Sequence, residues 1–456
     1  MPSKEKKPLD MCSGQLIGSI LRFSLPLMAT GVLSQLYNAM DTMIVGRCAG
    51  GQALAAVGAT MTLCWLITET VLGLSVGTSV RAANACGARQ EDVLSDTLHT
   101  SLLLGLIVGV LAAAVGYFGS RTFLGWIDTP GDILDQSTAY LQIFFLGMPA
   151  NSVYMFAAAA LRATGETRYP LLVLIISGLV NVALNLLSVA VLHMGVQGVA
   201  WATVISQVLS AIMILAHMCR LKGGIQVSAR KLRIHGGELR LLLKLGVPAA
   251  LQSAMFTLSN VIIQSGINSF GSSAVAGASA ASSIESIVFL VADSISHAAT
   301  IFAGQNMGAK KYDRVPRVLS SCLLLSVVLV QAFAVLVILL RVPLVSLFAQ
   351  DEEVIRFGAE RLRVQLFAYL LVGVMNTTSG VIRGMGYSVA PTVVSLVGVC
   401  GLRVAWMYTV FAWHHTFETL ILCFPFTWLV TSVMNLICYG VVRRKLRRNA
   451  LSGADT

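Results

Sequence analysis

The sequence predicts an all-α polytopic membrane protein, with twelve transmembrane helices in two homologous six-helix bundles around a central cavity. Three observations predict it. The 456 residues are 56% hydrophobic and only 12% charged, with a mean hydropathy of +0.78, whereas a soluble domain carries about 25% charged residues. Apolar runs of membrane-spanning length recur along the whole chain. The second half of the chain also repeats motifs of the first at a fixed separation.

The runs come first. About 20 apolar residues span lipid as a helix, because hydrocarbon offers no partner to an unpaired backbone group. Twelve runs qualify, near 21–45, 54–80, 98–119, 138–161, 170–191, 197–219, 243–267, 279–303, 317–340, 361–382, 391–412 and 419–441. The polar opening MPSKEKKPLDMCSGQ leads into a full-length span, which argues against a cleaved signal peptide. SGQLIGSILRFS (13–24) reads as a short interfacial helix ahead of the first span.

The basic residues set the orientation. Lys4, Lys6 and Lys7 precede the first span; Arg220, Lys222, Arg230, Lys231 and Arg233 follow the sixth. Lys310, Lys311, Arg314 and Arg317 follow the eighth, and RRKLRR (443–448) follows the twelfth. All fall on one side of an even-numbered topology, while IDTPGDILD and NSFGSS on the other side hold no Lys or Arg. The positive-inside rule then expects both termini to be cytoplasmic, and the expected location is the bacterial cytoplasmic (inner) membrane. Topology and anionic-lipid contact account for the net charge of +11, so no nucleic-acid partner is expected. The nine cysteines are scattered without a CxxC pair and read as small buried hydrophobes, with no metal site.

The repeat follows. Arg162, Gly165 and Pro170 in ALRATGETRYP match Arg383, Gly386 and Pro391 in VIRGMGYSVAP at a separation of 221 (383 − 162). Gly87, Ala88 and Asp92 match Gly308, Ala309 and Asp313 at the same separation, while Pro26 and Asn38 match Pro248 and Asn260 at 222 (248 − 26). The chain therefore divides into a tail (1–12), an amino-terminal six-helix lobe (13–220), a linker (221–240), a carboxy-terminal six-helix lobe (241–442) and a basic tail (443–456). An even number of spans puts both lobes in the membrane in the same orientation, related by an axis along its normal. That is the architecture of an alternating-access transporter.

Several polar residues lie inside the spans. Asp41 is the one charged residue between Ser24 and Val45, and a carboxylate in a span costs about 2.5–3.5 kcal/mol on insertion scales. Ser34, Asn38 and Asp41 form one polar stripe at i, i+4, i+7. Apolar surroundings favour the neutral form of a carboxyl group, so such a residue can load a proton on one side and release it on the other. The plain alternative is a side chain near the helix end reaching headgroup water. Asn181 and Asn185, and likewise Thr203 and Gln207, share helix faces at i, i+4; ordinary interhelical hydrogen bonding, worth about 0.6–2 kcal/mol, is their competing reading.

Glu69 lies in the second span, as a proton carrier, an attractor of cations or a packed neutral group. The eighth span carries Glu285, Asp293 and His297. Asp293 and His297 read as a structural i, i+4 pair, and Glu285 falls within about 80° of Asp293 on a helical wheel. The seventh span, mate of the first, has Asn260 and Gln264 but no carboxylate. Arg162 and Arg383 read as the ends of the fourth and tenth spans, and the remaining basic residues also read as lying at span ends.

The two-times-six repeat, Pro26 and Asp41 in the first span, LRATGETRYP, GVQGVAWATVISQ and FAGQNMGAKK resemble the multidrug and toxic compound extrusion (MATE) family over roughly 13–442. The resemblance implies efflux of structurally varied, often cationic organic compounds in exchange for inward protons or sodium ions. It implies Asp41 as the proton acceptor, approached by Asn181, Asn185, Thr203 and Gln207, with the first span bending at Pro26; Asn38, on the stripe of Asp41, is expected to join the coupling residues. Asn185 stands where the family often has an aspartate and Met155 where it has an asparagine; Phe256 and Val372 replace the carboxylates of a sodium-type arrangement. Sodium needs several oxygen ligands and a proton needs only Asp41, so protons are the expected coupling ion.

The expected function is thus a secondary antiporter exporting cationic or amphipathic compounds, with Glu69, Gln207, Asn260, Gln264, Glu285 and Asp293 lining the substrate cavity. No bound cofactor is expected beyond transported H+ or Na+. The expected partners are small-molecule substrates and membrane lipids, and the expected state is a monomer. Catalysis is not expected, since HExxH, Walker and partnered GxSxG patterns are missing from the sequence. The alternative is a flippase or exporter of a lipid-linked or single specific metabolite. A pyrophosphate carrier calls for basic residues in the cavity, whereas the ionisable residues inside the spans read as mostly acidic.

Overall fold

A computed structural model describes residues 10–451, and among them every regular element is helical. Lys4, Lys6 and Lys7 lie outside the described residues, as does the end of the basic tail. The first half comprises α1 (Leu16–Ile44), α2 (Gly51–Gly87), α3 (Glu91–Trp126), α4 (Gly131–Leu146), α5 (Met148–Ala163), α6 (Arg168–Asn185) and α7 (Gly195–Arg220). The second comprises α8 (Gly236–Asn268), α9 (Ser272–Gly308), α10 (Val315–Leu339), α11 (Arg341–Ser346), α12 (Glu352–Phe367), α13 (Leu370–Gly384), α14 (Val389–Ser395), α15 (Leu402–Tyr408), α16 (Val410–Trp413) and α17 (Phe417–Leu451). Ten helical stretches are long and apolar enough to cross a membrane, and two bent pairs bring the number to twelve. The protein is a multi-pass membrane protein of two six-helix bundles.

The bent pairs differ from the straight runs expected at 138–161 and 361–382. The fourth span is α4 followed by α5 at 46°, and the tenth is α12 followed by α13 at 50°. Pro149 in the first turn of α5 explains the earlier break, since proline has no N–H to continue the ladder from α4. In the tenth span, the amphipathic α12 starts well before the apolar run, with the Asp351 carboxylate accepting from the Glu353 amide at 2.8 Å.

A second correction concerns the start of the chain. SGQLIGSILRFS is no separate interfacial helix, because α1 runs unbroken from Leu16 to Ile44 with Pro26 inside it. Pro248 lies inside α8 in the same way. Each proline deprives the carbonyl four residues earlier, on Arg22 and Lys244, of its helical donor. Both helices therefore carry an internal soft point rather than a proline tolerated at the helix start.

The chain forms two compact units whose limits fall inside these two helices. The first unit takes Ala29–Ala250 of the described chain, and the second takes Asp10–Met28 together with everything from Leu251 onward. The repeat divides the sequence at the 221–240 linker, whereas packing divides it at Met28/Ala29 and Ala250/Leu251.

In the first unit, the start of α8 is fastened to α2 and α3. Gly73 and Gly77 pack directly on the α8 backbone at Ala250 and Leu242, where a Cβ would collide. In lipid, such close backbone approach replaces apolar burial as the source of helix association. Arg81 donates two hydrogen bonds to Glu238 at 2.7 and 2.8 Å, and the Thr97 hydroxyl donates a third at 2.9 Å. In the second unit, Phe23 of α1 meets Phe302 of α9 edge-on at 5.9 Å. The segment before α1 is strapped across the end of α9. Asn306 donates to the Met11 carbonyl at 3.1 Å, Lys311 to Cys12 at 2.9 Å, and Arg314 to Ser13 and Gly14 at 2.9 and 2.8 Å.

Candidate functional site

The last turns of α1 meet α6 at an aromatic–glycine contact. The Tyr37 ring rests on Gly178, where any Cβ would overlap the ring, and the Tyr37 hydroxyl donates to the Ile175 carbonyl at 3.3 Å. Asp41, one turn further along α1, then meets the end of α6. The Asn185 side-chain amide donates to Asp41 Oδ1 at 2.5 Å and to Asn181 Oδ1 at 3.2 Å. Asn181 and Asn185 are both buried, and Asp41 is half-buried. Each helix passes into a π turn just beyond the site, Val45–Ala49 after α1 and Leu186–Val191 after α6. Their inward side chains Val45 and Val189 join an apolar cluster with Ile44, Cys64 and Tyr140. A carboxylate with two amides at an apolar wall can hold or release a proton with little rearrangement.

The structure brings together three of the five expected coupling residues. Asp41, Asn181 and Asn185 form one chain of hydrogen bonds. Asn38 is exposed on α1, and its carbonyl accepts from Thr42 at 2.9 Å. The Thr203 hydroxyl bonds back to Val199 in its own helix at 3.0 Å, so it adds no hydrogen bond to Asp41. Gln207 rests its side-chain carbonyl against Gly147 at the α4–α5 break, and Glu69 is half-buried on α2.

The second unit contains the other expected residues and two that the sequence reading misplaced. Asp293 and His297 form the expected i, i+4 pair at 3.5 Å. Gln264 is exposed and donates to Asn268 at 3.0 Å. Glu285, expected as an anion available to substrates, is instead paired with Arg361 at 3.4 Å. Asn260 accepts from Arg403 at 2.8 Å. Arg361 and Arg403 are 8% and 5% exposed, so basic residues do not all sit at span ends. Arg403 is the single charged residue in Val389–Trp413, the same signal that marks Asp41. Arg361 was hidden because α12 begins before the apolar run does.

Comparison with known proteins decides the family. The MatE family model matches two segments of equal length, residues 26–187 and 248–409. The chain belongs to that family. It is a MATE transporter, and its fold and repeat are those expected of one. Among its relatives, "Probable multidrug resistance protein YoeA" of Bacillus subtilis is 30% identical, over 85% of each chain. An "FAD transporter" of Shewanella oneidensis is 24% identical, over 96% of each. A solved multidrug resistance MATE transporter of the MOP superfamily, in an outward-facing conformation, superposes with a TM-score of 0.90 at 20% identity, covering 98% of this chain and all of that one. That likeness shows the fold.

The matched MATE segments also fix the register between halves. Both of their ends differ by 222 (248 − 26 and 409 − 187), whereas Pro170 and Pro391 differ by 221. The structure supplies the missing residue. A π turn holds one residue more than the α turn it replaces, and Leu396–Gly401 is such a turn between Pro391 and Arg403. Beyond it Asn181 corresponds to Arg403, Asn185 to Met407 and, on the partner helix, Asp41 to Ile263.

Proposed function

We propose that this MATE transporter is a proton-coupled antiporter in which Asp41 is the proton acceptor. The observation that carries the reading is its partner: among the described residues, the one side-chain hydrogen bond to Asp41 comes from the neutral amide of Asn185. An asparagine serves either state of a carboxyl group, offering its NH2 to the carboxylate or, turned over, its oxygen to the acid. A cationic partner would hold Asp41 ionised. Sodium is the less favoured ion, because Asp41 supplies the one formal negative charge beside Asn181 and Asn185, and Thr203 is engaged by its own helix. The transported compounds are organic and cationic or amphipathic, and both termini face the cytoplasm across the inner membrane.

The test is transport of a lipophilic cationic dye in proteoliposomes under an imposed pH or sodium gradient, with native protein and Asp41→Asn. Dye movement under a pH gradient alone, abolished by Asp41→Asn, is the expected result. Movement driven by sodium alone would overturn the proton assignment.

A second reading, export of one specific anionic metabolite, draws support from Arg403 in the middle of a span. The relative described as an FAD transporter is consistent with it.

A further inference from the structure

Arg361 and Arg403 are both buried in the second unit, yet their surroundings differ. Arg361 is fully engaged: Nε donates to Gln365 at 3.1 Å, Nη1 to the Ala278 carbonyl at 3.0 Å and Nη2 to Glu285 at 3.4 Å. Arg403 makes one hydrogen bond, from Nη1 to Asn260 Oδ1 at 2.8 Å, and its guanidinium lies 4.5 Å from the centre of the Phe424 ring. Among the described residues it forms no ion pair, and its buried Nε has no hydrogen-bond partner. Two guanidiniums therefore share one carboxylate, and that carboxylate belongs to Arg361.

A buried charge without a counter-ion is destabilising. The planar fork of Arg403, however, matches the two oxygens of a carboxylate or phosphate. Asn260 occupies one Nη and Phe424 takes one face, leaving the Nε–Nη2 edge for a ligand. Asn260, which holds the other side of the fork, is itself exposed.

We infer that Arg403, oriented by Asn260 and Phe424, is an oxyanion-binding subsite that receives the carboxylate or phosphate group of a transported compound. The inference rests on the transport reading above and narrows its substrate class to the amphipathic and zwitterionic compounds that carry an anionic group. It places substrate recognition in the second half of the chain, at the repeat counterpart of Asn181.

The experiment uses a xanthene dye with a free carboxylate and its methyl ester, two probes differing in one charge. Native protein, Arg403→Gln and Arg403→Lys are reconstituted in phosphatidylcholine vesicles, and uptake is driven by a pH gradient. The ratio of free-acid to ester transport should fall about tenfold or more in Arg403→Gln, the size expected for losing a charged hydrogen bond. Arg403→Lys should restore part of that ratio. An unchanged ratio in Arg403→Gln overturns the inference. If Arg403→Gln does not fold, Arg403→Lys alone decides: its KM should rise for the free acid relative to the ester, and equal change overturns the subsite.

Added phosphatidylglycerol separates the two sources of oxyanion. A ratio lowered with and without that lipid means the solute's own group is bound, whereas an effect of the substitution confined to phosphatidylglycerol vesicles overturns a solute site in favour of a lipid headgroup. Should neither dye move with native protein, the antiport reading fails on its own. Fluorescence anisotropy in detergent then tests the subsite: tighter binding of the free acid, erased by Arg403→Gln, supports it, and equal binding of acid and ester overturns it.

Discussion

Asp41 and Glu285 are both carboxylates inside apolar spans, one in each unit, and they keep opposite company. Asp41 meets amides, Asn185 and behind it Asn181. Glu285 meets the guanidinium of Arg361. A neutral partner leaves the charge of a carboxyl group free to change during a cycle, while a cationic partner fixes it. The repeat sharpens the contrast, since the counterpart of Asn181 is Arg403 and that of Asp41 is Ile263. The same arrangement of helices holds a carboxyl group among amides in the first half and a buried guanidinium in the second.

The largest expected effect breaks the fixed pair. Arg361→Met removes the guanidinium paired with the buried Glu285 and should cost about 3–5 kcal/mol, read as a fall in melting temperature in detergent. Adding Glu285→Gln should recover most of the loss. Asp41→Asn, which removes a charge from a neutral partner, should change the melt far less. Equal destabilisation by Arg361→Met and Asp41→Asn would erase the distinction between the two carboxylates.

Gly178→Ala comes next. Its Cβ would overlap the Tyr37 ring, so α1 must lift from α6 at about 1–3 kcal/mol, and pH-driven uptake should drop with it. The double variant Gly178→Ala with Tyr37→Leu should regain stability. If Gly178→Ala transports normally, the Tyr37 contact is not what seats Asp41 on Asn185.

The smallest effect lies outside the membrane, at Asp10. The Ser13 hydroxyl holds its carboxyl below the usual range against the opposing effect of burial, with smaller help from the Cys12 and Ser13 amides and from Lys311. A lowered value in the folded state means the contribution is present above the unfolded pKa and lost as pH falls through the folded one. Protection of the Cys12 and Ser13 amides, taken relative to the intrinsic exchange rate at each pH, should therefore be flat from neutral pH down to about pH 4 and fall below it. Asp10→Asn should show the lower protection at every pH, with transport little changed.

Much of this was legible in the sequence, for identifiable reasons. Apolar runs and the Pro–Gly–Arg repeat gave twelve spans in two halves, because lipid imposes length and satisfaction on every segment. Asp41, Asn181 and Asn185 were legible because a polar group in a long apolar run is conspicuous and i, i+4 spacing puts two on one face. Arg403 was equally conspicuous, but basic residues had been assigned to topology as a group. The Glu285–Arg361 pair was not legible, since it joins helices 76 residues apart in sequence. The packing limits at Met28 and Ala250 were invisible for the same reason: hydropathy does not report which neighbours a helix chooses.

Those limits bear on how the chain is made. Emerging from the ribosome, the first unit stays unfinished until the start of α8 has followed the linker out, because α2 waits for Leu242, Gly246 and Ala250. The opening strap waits far longer. Met11 finds its partner Asn306 only 295 residues later. A chain cut at the linker would release two fragments, each holding a piece the other must receive, so biogenesis of this protein is bound to a single continuous act of synthesis or to faithful reunion of its halves.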